Sequence, residues 1–101
     1  MKKFDIYIGL KDQDTLSEVL TPEQFAEILS KQCQNRNIGF SMMTQLGGYG
    51  HKKGYVIETS LRITLLGLEE NEVKSLAETL RQKVNTDTVL ISSEECEYYY
   101  R

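Results

Sequence analysis

From Tyr55 to Leu65 the residues alternate without a break. Tyr55, Ile57, Thr59, Leu61, Ile63 and Leu65 fall on one parity, and Val56, Glu58, Ser60, Arg62 and Thr64 on the other. A strict period of two sustained over that length is satisfied only by a β-strand, whose side chains point alternately to opposite faces of a sheet. The first set is plainly the greasier. The chain therefore commits to a sheet with one face to be covered and one left polar.

The other segments supply the cover. Phe4, Ile6, Ile8 and Leu10 alternate with Asp5, Tyr7 and Gly9, which predicts a first strand over about residues 3–10. Thr21-Pro22-Glu23-Gln24 reads as a helix start: Thr21 can cap, Pro22 suits the first helical position, and Gln24 can close a capping box. Phe25, Ile28, Leu29 and Cys33 follow at helical spacing, and this helix is expected to end near Asn35. Ile38, Phe40, Met42, Thr44 and Leu46 predict a second strand ahead of the long third one. Val73, Leu76, Ala77, Leu80 and Val84 form the stripe of a second helix, with Glu69, Glu70 and Glu72 at its start and Arg81 and Lys83 near its end, a polarity that suits the helix dipole. Thr88 to Ile91 read as the last strand, followed by the tail Glu94-Glu95-Cys96-Glu97-Tyr98-Tyr99-Tyr100, whose three rings are expected to be partly packed.

The order β-α-β-β-α-β, with short connections, predicts an α+β ferredoxin-like two-layer sandwich with a four-stranded antiparallel sheet. A chain of 101 residues makes one domain, residues 1–101. Fifteen acidic against twelve basic residues, net charge -3, argue against nucleic acid as the partner. The opening residues read as a strand and no apolar run is long enough to span a bilayer, so a cytoplasmic protein with no membrane association is expected. Cys33 and Cys96 lack metal-ligand or redox spacing and read as free thiols, so neither a metal nor a cofactor is expected.

The whole chain resembles a bacterial family of unknown function, small ferredoxin-like proteins. The likeness rests on an aromatic-x-Gly-Leu first strand (Tyr7-Ile8-Gly9-Leu10), a Gly-x-aromatic hairpin (Gly47-Gly48-Tyr49, then Gly54), a Glu-x-Ser opening to the third strand (Glu58-Thr59-Ser60) and Thr88-Val89-Leu90 in the last. Tyr49 stands where that family leads one to expect tryptophan. The resemblance implies the fold and assigns no catalytic residue.

Two regions are candidates for chemistry. The stretch Gly47, Gly48, Tyr49, Gly50, His51, Lys52, Lys53, Gly54 reads first as a hairpin loop in which several glycines adopt positive φ. The competing reading is an anion-binding loop, with glycine amides and the two lysines around a phosphate or carboxylate, although the GxxxxGK[ST] pattern is missing. The second region is the sheet face away from the helices, carrying Tyr7, Met43, Val56, Glu58 and Arg62, read as a solvated or self-associating interface. An RNA-recognition surface needs a second stacking aromatic on that face, and Tyr55 has the wrong parity for it. His51 has no carboxylate orienter or nucleophile in the sequence around it, so no catalytic residue is assigned.

The expected function is a non-catalytic binding or interaction module, homodimeric through its sheet face or bound to another protein, with its small-molecule ligand undefined. The alternatives are an enzyme of the dimeric ferredoxin-like barrel kind, which needs a cavity lined by Met42, Tyr55, Ile57 and Leu61, and an inhibitor or accessory protein encoded on mobile DNA.

Overall fold

A computed structural model describes all 101 residues. In chain order it contains β1 (Lys2–Gly9), α1 (Pro22–Arg36), β2 (Ser41–His51), β3 (Gly54–Leu66), α2 (Glu70–Val84) and β4 (Leu90–Glu95). The strands form one antiparallel sheet in the order β2-β3-β1-β4, with both helices on one face. This is the ferredoxin-like plan that the alternation predicted.

The core is built from the expected stripes. Phe4, Ile6, Ile8 and Leu10 meet Leu61, Ile63 and Leu65 on the sheet, and Phe25, Leu29, Cys33, Val73, Leu76, Ala77, Leu80 and Val84 close over them. The helix ends are set locally. Thr21 Oγ1 accepts from the Gln24 amide at 3.1 Å while Gln24 Oε1 accepts from the Thr21 amide at 2.9 Å, which is the capping box read from the sequence. Asn37 and Asn85 adopt left-handed φ of 54° and 60° and stop the two helices. No helix is long and apolar enough to cross a membrane.

Three sequence expectations need correction. The first concerns the glycine-rich stretch. Gly47 to His51 belong to β2, paired from Gly47 against Glu58 to His51 against Gly54, and the turn is only Lys52-Lys53. Positive φ occurs in that stretch at Gly54 alone, at 122°. Glycine's poor standing in strands made the segment look like a loop, whereas pairing with the uninterrupted β3 draws it into the sheet.

The second concerns strand ends. β2 begins at Ser41, beyond Ile38 and Phe40, and β4 runs Leu90–Glu95, so Thr88 and Val89 belong to the connection before it. The third concerns the polar face. Asp5, Val56, Glu58 and Ser60 have the parity of water-facing residues, yet all four are buried. In the tail, Tyr98 is half-buried, its hydroxyl 3.7 Å from Met1 Sδ, while Tyr99 and Tyr100 are exposed.

Candidate functional site

Strand lengths create the site. β1 ends at Gly9, opposite Ser60, but β2 and β3 continue past that point to the turn. The hairpin therefore overhangs the end of β1, and the α2–β4 connection runs up beside it. Between them lies a cavity of about 160 Å³ lined by Tyr7, Gly9, Gly47, Gly48, Tyr49, Glu58, Ser60, Thr86, Thr88 and Leu90. Register puts Tyr7 with Leu90, Gly47 with Glu58 and Tyr49 with Val56, all on the face away from the helices.

Glu58 is the only charged side chain in this lining, and it is 4% exposed. Burying a carboxylate is costly unless hydrogen bonds replace its water. Its Oε1 accepts from the Lys11 amide at 3.0 Å, and its head lies directly against the bare Cα of Gly9. The segment after β1 is strapped to the hairpin by further bonds: Leu10 N donates to Thr59 O at 3.1 Å, and Thr59 N donates to Glu18 Oε2 at 3.1 Å.

Tyr49 stands beside Glu58 without a well-formed hydrogen bond between them. Burial first, and then the Glu58 and Asp87 carboxylates, push its phenol above the usual tyrosine range. His51 meets the Tyr49 ring edge-on, with centroids 6.3 Å apart and planes at 75°. An anionic group flanked by the rings of Tyr7 and Tyr49 suits a cationic ligand, through charge pairing and the negative faces of the rings.

The candidate residues from the sequence divide. Tyr7, Gly47, Gly48, Tyr49 and Glu58 are brought together in the cavity. Lys52 and Lys53 sit at the exposed tip. The Lys53 amide donates to His51 Nδ1 at 3.1 Å and its Nζ to the Asp14 carbonyl at 3.0 Å, so this lysine is turned away from the glycines it was grouped with. Arg62 is engaged elsewhere on the face, its Nε 3.6 Å from Asp5 Oδ1, an oxygen that also accepts from Thr64 Oγ1 at 2.6 Å. Met43 is exposed.

Tyr55 and Ile57 do lie on the opposite face from Tyr7, as parity required. They project past the helices and are exposed, 73% and 58%, so they do not enclose a cavity with the buried Leu61. Sequence reasoning missed Gly9, Ser60, Thr86, Thr88 and Leu90 as site residues. A signal was present for four of them: the aromatic-x-Gly-Leu, Gly-x-aromatic and Glu-x-Ser motifs and the Thr88-Val89-Leu90 run each contribute residues to this one cavity. Thr86 had no such mark.

No protein-family model matches the chain, and no curated protein matches it in sequence. Solved structures match by fold. A phage SAM lyase in complex with S-methyl-5'-thioadenosine is similar at a TM-score of 0.77 and 23% identity, over 93% of this chain and 80% of that one. A phage SAM lyase in the apo state gives 0.70 and 19%, over 98% and 92%. A DUF3240 family protein from Shewanella baltica OS155 gives 0.51 and 10%, over 99% and 94%. The chain thus shares its fold with phage SAM lyase and with a DUF3240 family protein.

Proposed function

We propose that this chain binds S-adenosylmethionine, or a closely related sulfonium nucleoside, at the Glu58 cavity and cleaves it as a lyase. The observation that carries the reading is the buried Glu58 carboxylate, alone among the lining residues in its charge and flanked by Tyr7 and Tyr49, in a fold shared with phage SAM lyase. The substrate carries two cationic groups, the sulfonium and the α-ammonium. Cleavage sends the carbon–sulfur electron pair to sulfur, which becomes the neutral thioether of S-methyl-5'-thioadenosine. As that bond breaks, the substrate's own carboxylate supplies the new bond to the same carbon and closes a lactone, so the step needs no base or co-reactant.

A carboxylate paired with the sulfonium would stabilise the ground state and lose that attraction as the bond breaks, which slows the reaction. Glu58 is therefore assigned to the α-ammonium, whose charge persists throughout. The Tyr49 phenol, held protonated, is a hydrogen-bond donor for the sulfur as it receives the electron pair. A cavity of about 160 Å³ falls short of the roughly 300–1000 Å³ of typical small-molecule sites. It seats the charged end, and the nucleoside extends over the neighbouring open face. The phage source of the neighbour favours an accessory protein encoded on mobile DNA.

The test is incubation of the purified chain with S-adenosylmethionine and mass-spectrometric detection of S-methyl-5'-thioadenosine. Wild type should form it and Glu58→Gln should not. Thermal stabilisation without product would return the chain to a non-catalytic binding module, and the absence of both product and stabilisation would overturn the reading.

A further inference from the structure

Gly9 has an unusual reason to be glycine. Its backbone is ordinary strand, paired with Ser60, and its φ is not in the left-handed region, so no conformational demand excludes a side chain. What excludes it is Glu58. A Cβ built on Gly9 would fall on the Cδ and both carboxylate oxygens of Glu58, well inside contact distance, and no backbone atom of another residue is among its nearest neighbours. The same carboxylate is held from the side by the Lys11 amide at 3.0 Å, two residues along the chain.

We propose that Gly9 is a positioning residue for Glu58: its bare Cα is the floor on which the carboxylate rests within reach of the Lys11 amide. The inference deepens the proposed function, because it says what holds the anionic group of that site. It also gives the aromatic-x-Gly-Leu motif a physical role. Leu10 anchors in the core, Tyr7 lines the cavity, and the glycine between them leaves room for the acid.

The side chain of Glu58 is flexible, so Gly9→Ala should leave the fold intact by displacing the carboxylate rather than the strand. The Lys11 amide then loses its acceptor. Nuclear magnetic resonance of the free protein reads this directly: the Lys11 amide shift and the titration of the Tyr49 phenol, which faces Glu58, Asp87 and His51, should both move in Gly9→Ala. In a Glu58→Ala background the same Gly9→Ala change should move neither, because the new methyl occupies space already vacated. If Gly9→Ala alone fails to fold, the double variant should fold. Failure of both, or an unmoved Lys11 amide and Tyr49 titration in folded Gly9→Ala, would overturn the proposal. None of these readouts uses a ligand, so they stand or fall independently of adenosyl cleavage. Where turnover is found, Gly9→Ala should lower kcat/KM by about a hundredfold, the effect of misplacing a reacting group by an ångström.

Discussion

Asn85 and Asp12 join the two ends of the site's scaffold: Asn85 Nδ2 donates to Asp12 Oδ2 at 2.9 Å, linking the residue that stops α2 to the segment that follows β1. The same amide also reaches Asp14 Oδ2 at 3.1 Å, and Gln13 Nε2 returns a bond to Asn85 Oδ1 at 3.2 Å. Both connected segments bear on the cavity, one lining it through Thr86 and the other holding Glu58 through the Lys11 amide. Asn85 also carries φ of 60°. Asn85→Ala should therefore cost about 1 to 2 kcal/mol from the left-handed backbone alone, and Asn85→Gly should recover that part while still losing the bonds. Chemical denaturation of the two variants separates the contributions, and equal stability of both would show that the backbone conformation carries no cost.

Acid should expose a second tie. Arg81 holds Glu78 through Nε at 3.0 Å and Nη2 at 2.8 Å, and its Nη1 donates to the Thr86 carbonyl at 3.2 Å. Arg81 and then Gln82 lower the Glu78 pKa from 4.5 to about 2. A carboxyl whose folded pKa is depressed contributes stability above its unfolded pKa and loses it as pH falls toward the folded one. The stability gap between wild type and Glu78→Gln should therefore be constant above about pH 5, shrink between about 4.5 and 2, and vanish below that. Melting temperatures across this range check it. The group is exposed to solvent, so added salt should narrow the gap as well.

The helix caps illustrate what was legible. Thr21-Pro22-Glu23-Gln24 specified its capping box because every partner lies within one turn, and Thr21→Ala should cost about 1 kcal/mol in denaturant unfolding. An unchanged midpoint would mean that the helix end is held by something else. The strand faces were legible for the same reason, since Phe4 to Leu10 and Leu61 to Leu65 carry their periodicity locally. Burial of Glu58 was not. Its parity is that of a wet residue, and what buries it is the difference in length between β1 and the hairpin, together with the α2–β4 connection arriving from the far end of the chain. No local pattern records that meeting. The glycines misled in the opposite direction, because composition suggested a loop while the long partner strand enforced pairing.

Exposed apolar surface marks where self-association should occur. Leu46, Tyr55 and Ile57 share one face of the overhanging hairpin, on the helix side but past the helices, and all are more than half exposed. Such a patch favours contact with another apolar surface. The open sheet face, expected from the sequence to make the contact, offers Met43, Leu66 and Leu90 as exposed apolar residues, but they are spread over separate strands with the polar pair Asp5 and Arg62 on the same face. Light scattering should show association in wild type, its loss in Ile57→Glu, and its persistence in Met43→Glu. A wild type that is monomeric at every concentration would remove both interfaces.

The glycine-rich strand yields a graded prediction that a flexible loop would not. Gly54 has φ of 122°, so Gly54→Ala is strained whatever space surrounds it and should cost more than about 1 kcal/mol. Gly50 is extended with open space where a Cβ would go, so Gly50→Ala should be neutral or slightly stabilising. Gly48 is intermediate: a Cβ there meets Tyr55 Oη at 2.8 Å, the far end of an exposed ring that can swing aside. Gly47 is different again, since its Cβ would lie 2.8 Å from Ser60 Cβ, which is short, buried and part of the cavity wall. Gly47→Ala should therefore destabilise more than Gly48→Ala and should also weaken ligand binding at the Glu58 cavity. Denaturant midpoints for the four variants should rank Gly50 and Gly48 above Gly47 and Gly54. Four similar losses would mean that the glycines serve one shared loop conformation and that the paired hairpin is not the state in solution.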